Sequence, residues 1–340
     1  MVDPEHNVPT SCQRKSPLLL WLLLFVWIAL FSGCAGITTA PQPAPPTLFH
    51  TPTPAGLQDI HAPGFIVKNP EKQYNLIGSP AVRSTARGPE FFVDHSKPSI
   101  YFESQTFTTS KGEYQNLIYR IHFEKVPFSL TEPHLTTGKN PGIITIYTLD
   151  KDNRLLLITT VNSCGCFLAF LPTTNLDSNA YPEDWPSQVQ HVYGYDLPTL
   201  LDLPADPASG RFVFSLEDGN HRISDVELIG HTSILTDKSK QIQMVLSPMS
   251  SLYKLPYNGS TTSFFELEGA RKGYVKNNLK ILERLFISWW AFDLRVGEDK
   301  AYGKDDKSTI PLYTSLKFWR RDDSDMKNFP RFLAYWGWKL

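Results

Sequence analysis

Two consecutive apolar runs in the middle of the chain constrain its fold more than any other feature. Residues Gly142–Leu149 and 154–161 are apolar at both odd and even positions, so a strand built from either run needs cover on both faces. The four residues between them, Asp-Lys-Asp-Asn at 150–153, suit a tight hairpin turn. The sequence therefore predicts an antiparallel hairpin at the centre of a sheet.

Period-two patterns and turn residues extend this β prediction over most of the chain. Tyr119, Ile121 and Phe123 alternate with polar residues, and the turn sequence Asp-Gly-Asn at 218–220 separates two further strand-like runs. Residues 65–268 are therefore predicted to form a mainly β domain. The predicted fold class is α+β, with a mainly antiparallel β sheet or sandwich covered by C-terminal segments.

The pattern changes to helical spacing near the C-terminus. Apolar residues recur every three or four positions between residues 273 and 296, which predicts an amphipathic helix. Its predicted apolar face comprises Leu279, Leu282, Leu285, Phe286, Trp289 and Phe292. The opposite, polar face comprises Lys276, Lys280, Glu283 and Arg284. Aromatic residues are dense over 310–340, and we expect residues 269–340 to pack on the sheet as part of the same domain. If exposed, the aromatic residues would instead suit a glycan platform or a lipid interface.

The N-terminus has the pattern of an export signal. Residues 18–31 form an uninterrupted apolar run behind two basic residues, and the run ends in Phe31-Ser32-Gly33-Cys34. This ending resembles the lipobox of bacterial lipoproteins, in which the cysteine is diacylated and becomes the first residue of the mature chain. The resemblance implies a signal peptide at 1–33, lipidation of Cys34 and, from Ala35, sorting to the outer membrane.

An uncleaved helix over 18–37, which is about long enough to span a bilayer, and an ordinary cleaved signal are the alternatives. All three place the body outside the cytoplasm. The lipoprotein and the uncleaved helix make the membrane a partner of the N-terminus, and we expect the body on the periplasmic face of the outer membrane. Residues 37–63 contain seven prolines, which favour an extended chain. Residues 34–64 are therefore predicted to be a lipidated cysteine followed by a proline-rich tether.

Cys164 and Cys166 are the residues of the body with the clearest chemical potential. Outside the cytoplasm, two thiols separated by one glycine can close a strained disulfide, act as a redox pair or bind a metal. Their apolar neighbours equally fit a structural disulfide or two buried thiols. A metal site would need two further ligands, for which the candidates are His122, His134 and His191.

Charge and absent motifs exclude several function classes. The 33 basic and 34 acidic residues nearly cancel, which leaves no electrostatic footprint for nucleic acid. The sequence contains no phosphate-binding loop, dinucleotide fingerprint, zinc-protease motif, nucleophile elbow or haem-attachment motif. Charges of both signs alternate over 297–308, which predicts a solvated surface loop. We therefore predict no cofactor and lean away from an enzyme.

These observations predict a lipid-anchored cell-envelope binding or scaffolding protein without catalytic activity, with an envelope protein or a glycan as its partner. The alternative is a periplasmic thiol-redox or metal-binding protein that uses Cys164 and Cys166. A third class is a cell-envelope hydrolase whose carboxylates form no recognisable motif. The surroundings of the two cysteines discriminate between these alternatives.

Overall fold

Strands account for most of the regular structure, as the sequence predicts, and the helices are short. The structure is a computed structural model that describes residues 44–52, 56–129, 134–203, 209–230 and 240–340. The strands are β1 (Thr47–His50), β2 (Gly64–Val67), β3 (Ser79–Thr85), β4 (Gly88–Asp94), β5 (Ser99–Thr109), β6 (Gly112–His122), β7 (Lys125–Val126), β8 (Gly138–Lys139), β9 (Gly142–Leu149), β10 (Leu155–Asn162), β11 (Ala169–Pro172), β12 (Val189–Val192), β13 (Tyr195–Pro198), β14 (Gly210–Leu216), β15 (Ile223–Gly230), β16 (Lys240–Gln243), β17 (Val245–Pro248), β18 (Leu255–Tyr257) and β19 (Ser260–Thr262). The helices are α1 (Leu57–Ile60), α2 (Ile281–Phe286), α3 (Ser288–Ala291) and α4 (Phe329–Tyr335).

A six-stranded sheet with the order β11-β10-β9-β6-β5-β17 is the central layer. β9 and β10 pair antiparallel in its interior, and every residue of both strands is buried. The prediction of a central hairpin is therefore confirmed. The turn at 218–220 likewise joins β14 to β15 in an antiparallel pair.

The two faces of this central sheet are covered by different layers. A five-stranded sheet with the order β15-β14-β2-β1-β16 packs on one face, where Phe49 and Phe214 share a buried cluster with Tyr147. On the other face, Ile144 shares a second cluster with C-terminal residues that include Phe332. Alternate residues of the central strands serve the two clusters, because successive side chains of a strand point to opposite faces.

One short segment supplies an edge strand to each of the two large sheets. β16 pairs parallel with β1 at the edge of the five-stranded sheet, and β17 pairs parallel with β5 at the edge of the six-stranded sheet. Only the buried residue Met244 separates the two strands. The segment 240–248 therefore belongs to both sheets.

The predicted tether at 34–64 is too long. β1 lies inside that range, pairs with both β2 and β16, and is buried throughout. The compact body extends from Ala44 to Leu340. The prolines of this stretch did not exclude a strand, because β1 itself contains none. The predicted signal peptide at 1–33 and the lipidation of Cys34 lie outside the described residues.

The predicted helix over 273–296 is wrong in extent, because helical structure is confined to α2 and α3. Asn277 adopts a left-handed conformation (φ 58°), and its side-chain oxygen accepts a hydrogen bond from the Phe91 amide (3.0 Å). The side chain of Asn278 is buried and donates to the Asp299 carboxylate (2.8 Å). These contacts with distant segments hold the chain out of a helix until residue 281.

The orientation of this segment is opposite to the predicted one. Trp289 is 73% exposed and Phe292 is 70% exposed, although both belong to the face that was expected to pack on the sheet. The charged residues Lys280 and Glu283 are buried instead. The predicted amphipathic helix that packs its apolar face on the sheet is therefore wrong.

The aromatic tail is divided between the core and the surface. Trp338 is buried against Phe170, with a distance of 5.4 Å between ring centroids, and Phe329 and Phe332 of α4 belong to the same cluster. Trp319, however, is 65% exposed. Leu312, Met326 and the last part of the tail cover the sheet as predicted, whereas the segment around Trp319 does not.

Candidate functional site

The two cysteines lie in a tight turn that follows β10. The Gly165 amide donates to the Asn162 carbonyl (2.8 Å), and the Asn162 amide donates to the Cys166 carbonyl (2.9 Å). Gly165 has a φ of 92°, and a side chain there would collide with the carbonyl oxygen of Tyr313. Glycine is required at this position for both reasons. The chain turns here and pairs again as β11, as the glycine within the apolar run predicts.

Cys164 and Cys166 are both free thiols. Cys164 is 5% exposed, whereas Cys166 is half-buried, and the Cys166 amide donates to the Cys164 sulfur (3.3 Å). The hydrogen bond with the Cys164 side chain and burial raise the pKa of Cys166 well above its ordinary value. Cys166 is therefore protonated at neutral pH, and its thiolate, the reactive form, is scarce.

Glu283 of α2 lies beside these thiols, with its Oε1 atom 4.0 Å from the Cys166 sulfur. Its side chain is only 4% exposed, and burial raises its pKa to about 7. The nearby charge of Lys280 opposes this shift, and that of Asp299 adds to it. Among the described residues none donates a hydrogen bond to the buried Oε2 atom of Glu283. The carboxyl group therefore has unused hydrogen-bonding capacity at neutral pH.

A buried ion pair between Lys280 and Asp299 lies near Glu283. The Lys280 Nζ atom lies 3.3 Å from Asp299 Oδ2, and both side chains are almost completely buried. Asp299 also accepts hydrogen bonds from the Ser163 hydroxyl (2.5 Å) and the Asn278 amide. Burial disfavours the charge of Lys280, but Asp299 and the other neighbouring groups outweigh burial and raise the pKa of Lys280. The pair links the cysteine turn to α2.

Cys164, Cys166 and Glu283 form part of the wall of a cavity of about 240 Å³, which we call the thiol cavity. Most of its remaining lining is apolar, with Leu135, Ile287, Val296 and Leu316 among the contributors. Leu135 and Leu316 are themselves exposed, so the cavity borders the protein surface. The thiol cavity can therefore hold a small apolar group, with Glu283 as a hydrogen-bonding partner.

The prediction of a solvated loop over 297–308 is wrong for its first half, whereas Lys304 and Lys307 in its second half are exposed. Glu298, Asp299 and Lys300 are each at most 3% exposed. The Glu298 carboxylate pairs with Arg271 (2.5 Å), and the Lys300 ammonium lies 4.8 Å from the ring centroid of Tyr313. The two carboxylates are thus neutralised inside the protein by cations from outside the segment, Arg271 and Lys280, which the pattern alone did not reveal.

The predicted metal ligands do not come together. His122 is completely buried, and its Nε2 atom accepts a hydrogen bond from Arg120 (3.0 Å), whereas His191 is exposed and pairs with Asp196 (2.5 Å). Burial and the charge of Arg120 lower the pKa of His122 well below its ordinary value. Within the described ranges, no group of three or more His, Cys, Asp or Glu side chains is placed to hold a metal ion. The hypothesis of a site built from Cys164, Cys166, His122 and His191 is therefore wrong.

Exposed apolar side chains are concentrated in two chain segments next to the thiol cavity, and we call them the apolar surface. It comprises Leu279, Ile281, Leu285, Phe286, Trp289, Trp290, Phe292, Leu294, Leu316, Phe318 and Trp319. The rings of Phe292 and Phe318 join its two segments, with 4.9 Å between centroids. The Arg321 side chain also donates to the Ala291 carbonyl and holds the segments together.

Sequence reasoning missed Glu283 as a site residue. Helical spacing places the Glu283 carboxylate on the outer face of the predicted helix over 273–296. Glu283 is, however, the only acidic residue between 279 and 292. That isolated carboxylate among apolar neighbours was the available signal.

In the described part of the chain, no helix is long and apolar enough to cross a membrane. No protein-family model, curated protein or solved structure matches this chain.

Proposed function

We propose that this protein is a lipid-anchored binding protein of the cell envelope and that the thiol cavity is its ligand site. The export signal and the lipobox-like ending at Cys34 support the anchor and a place on the periplasmic face of the outer membrane. The buried, unpartnered Oε2 atom of Glu283 is the observation that carries the ligand site. Nearly all buried polar atoms in proteins have a hydrogen-bond partner, and a bound ligand would supply one here.

The lining defines the chemical class of the ligand. Leu135, Ile287 and Leu316 favour an apolar body, and the Glu283 carboxyl favours one hydrogen-bond donor at its end. A small amphiphile with a single hydroxyl, amide or amine N–H group meets both requirements. The thiol-redox alternative has less support, because the raised pKa of Cys166 keeps its nucleophilic thiolate scarce.

We expect the full-length protein to bind N-phenyl-1-naphthylamine, an apolar fluorescent probe with one N–H donor. Glu283→Met keeps the approximate volume but removes the acceptor, and a hydrogen bond to a charged group contributes about 1.5–3 kcal/mol, so affinity should fall about tenfold or more. Glu283→Gln retains a neutral acceptor and should bind between these limits. Fluorescence titration at a mildly alkaline pH, where Glu283 is ionised, gives the three affinities.

The matched control for this titration is Glu183→Met, which makes the same replacement at a fully solvated position. Its affinity should equal that of the wild type. Unchanged affinity in Glu283→Met, or no saturable binding by the wild type, would contradict the ligand site.

The anchor has a separate test that does not involve the cavity. Mass spectrometry of the mature protein should find Cys34 as the first residue, carrying a diacylglyceryl group. A mature chain in which Cys34 is internal, or first but without lipid, would contradict the lipoprotein assignment while leaving the ligand site intact.

A further inference from the structure

The apolar surface contains more exposed hydrophobic area than isolated side chains explain. Trp289, Phe292 and Trp319 are each at least 65% exposed, and they lie in two segments that contact each other. Soluble monomers rarely leave large contiguous apolar groups in water, so a surface of this kind normally has an occupant. The question is which chemistry it fits.

The exposed charges beside the apolar surface are mainly cationic. Within 279–294 and 316–320, the ionisable side chains that are exposed are Arg284, Lys317 and Arg320. Asp293 is half-buried and accepts a hydrogen bond from the Tyr313 hydroxyl (2.6 Å), and the exposed Asp322 follows two residues beyond the second range. The carboxylate of Glu283 in the same stretch is buried, and Asp323 nearby is paired with Arg320 and Arg331. A partner with an apolar interior and an anionic surface is therefore complementary.

The residue types point to a lipid interface. Tryptophan and phenylalanine partition to the boundary between hydrocarbon and headgroups, and arginine or lysine beside them reaches the phosphates. α2 and α3 place Leu285, Phe286 and Trp289 outward on a short, uncharged ridge. Such a ridge can enter the headgroup region without crossing the bilayer.

The chain N-terminal to the body has limited reach. Thr47, the first residue of β1, follows Cys34 by thirteen residues, which span at most about 45 Å when fully extended. A body of this size has a radius of gyration of roughly 19 Å, so the connection to residue 34, even when fully extended, is no longer than the body is wide. The short connection thus keeps the apolar surface at a high effective concentration near lipid.

From these observations we infer that the apolar surface docks on the surface of an anionic phospholipid bilayer. Docking inserts the side chains of Phe286, Trp289 and Trp319 at headgroup depth and pairs Arg284 and Lys317 with lipid phosphates. The inference is independent of the ligand proposed for the thiol cavity. It adds a second membrane contact to the N-terminal anchor. Two contacts together hold a protein on a membrane more stably than one.

The test uses the full-length protein in vesicles of a neutral phospholipid with a minority of phosphatidylglycerol and a trace of photoactivatable phospholipid. After illumination, mass spectrometry maps the lipid adducts. We expect adducts on peptides that span 279–294 and 316–320, at a yield severalfold above that of the peptide with the exposed Val245. Omitting phosphatidylglycerol should lower the yield on these two peptides severalfold.

The double variant Trp289→Glu/Trp319→Glu should lose the adducts on both peptides and keep those on the N-terminal peptide, which report the anchor. Val245→Glu is the matched control, since it introduces the same charge at another exposed apolar position, and it should leave the pattern unchanged. Adducts confined to the N-terminal peptide would overturn the inference.

Discussion

Replacing Lys280 by methionine is expected to destabilise the protein by about 3–5 kcal/mol, because removal of one partner leaves the other charge buried and uncompensated. Lys280 and Asp299 are at most 2% exposed, and their charged atoms are 3.3 Å apart. Chemical denaturation of the variant, followed by intrinsic fluorescence, measures the free energy of unfolding. This is the largest effect that we expect from a single substitution near the thiol cavity.

The double variant Lys280→Met/Asp299→Asn tests the cause. If the loss comes from an unpaired charge, removing the second charge should restore part of the stability, and the double-mutant cycle should show a coupling energy of about 1 kcal/mol or more. The exposed pair Arg83–Glu90 supplies the control, and Arg83→Met should cost at most about 1 kcal/mol. Equal losses in the buried and exposed pairs would contradict the expected role of burial.

The stability of the ligand-free protein is expected to fall as Glu283 ionises. The pKa of Glu283 is about 7 in the folded protein, against 4.5 without these surroundings, so the unfolded chain releases this proton at lower pH. The contribution of Glu283 to stability is therefore fully present below about pH 4.5, decreases up to about pH 7 and is absent above it. The total change from this one group is about 3 kcal/mol.

Glu283→Gln isolates this contribution from those of the other titratable groups. The free energy of unfolding of the wild type relative to that of the variant should decline by about 3 kcal/mol between roughly pH 4 and pH 8. Denaturant titrations at several pH values measure the difference. A difference that stays constant, or that favours the wild type as pH rises, would show that Glu283 has no raised pKa.

The layered β architecture was accessible from the sequence because strand patterns are local. The residues of β9 and β10 need cover on both faces, and this requirement alone placed them in the interior of a sheet. The sheet that covers them was harder to predict from the sequence. It contains the parallel pairs β1–β16 and β2–β14, which join segments far apart in sequence. No short turn sequence connects the strands of either pair, so no local pattern indicates the pairing.

The site was visible only in part, for a related reason. Cys164 and Cys166 were identifiable by residue type, but Glu283 reaches Cys166, and Asp299 reaches the neighbouring Ser163, across more than a hundred residues. Helical periodicity assigned apolar residues to the inside and charges to the outside. Here the charges are satisfied by one another and by Ser163 and Asn278. Tertiary pairing thus reversed the faces that the local pattern indicated.

The position of the segment 240–248 has a consequence for the cooperativity of unfolding. β16 and β17 close one edge of each large sheet, with a single residue, Met244, between them. Detaching this segment would expose the backbone of β1 and of the longer strand β5 at the same time, and another chain could then pair with either strand. Because a single residue joins β16 to β17, loss of one strand from its sheet disturbs the other, so the two layers are coupled at this edge.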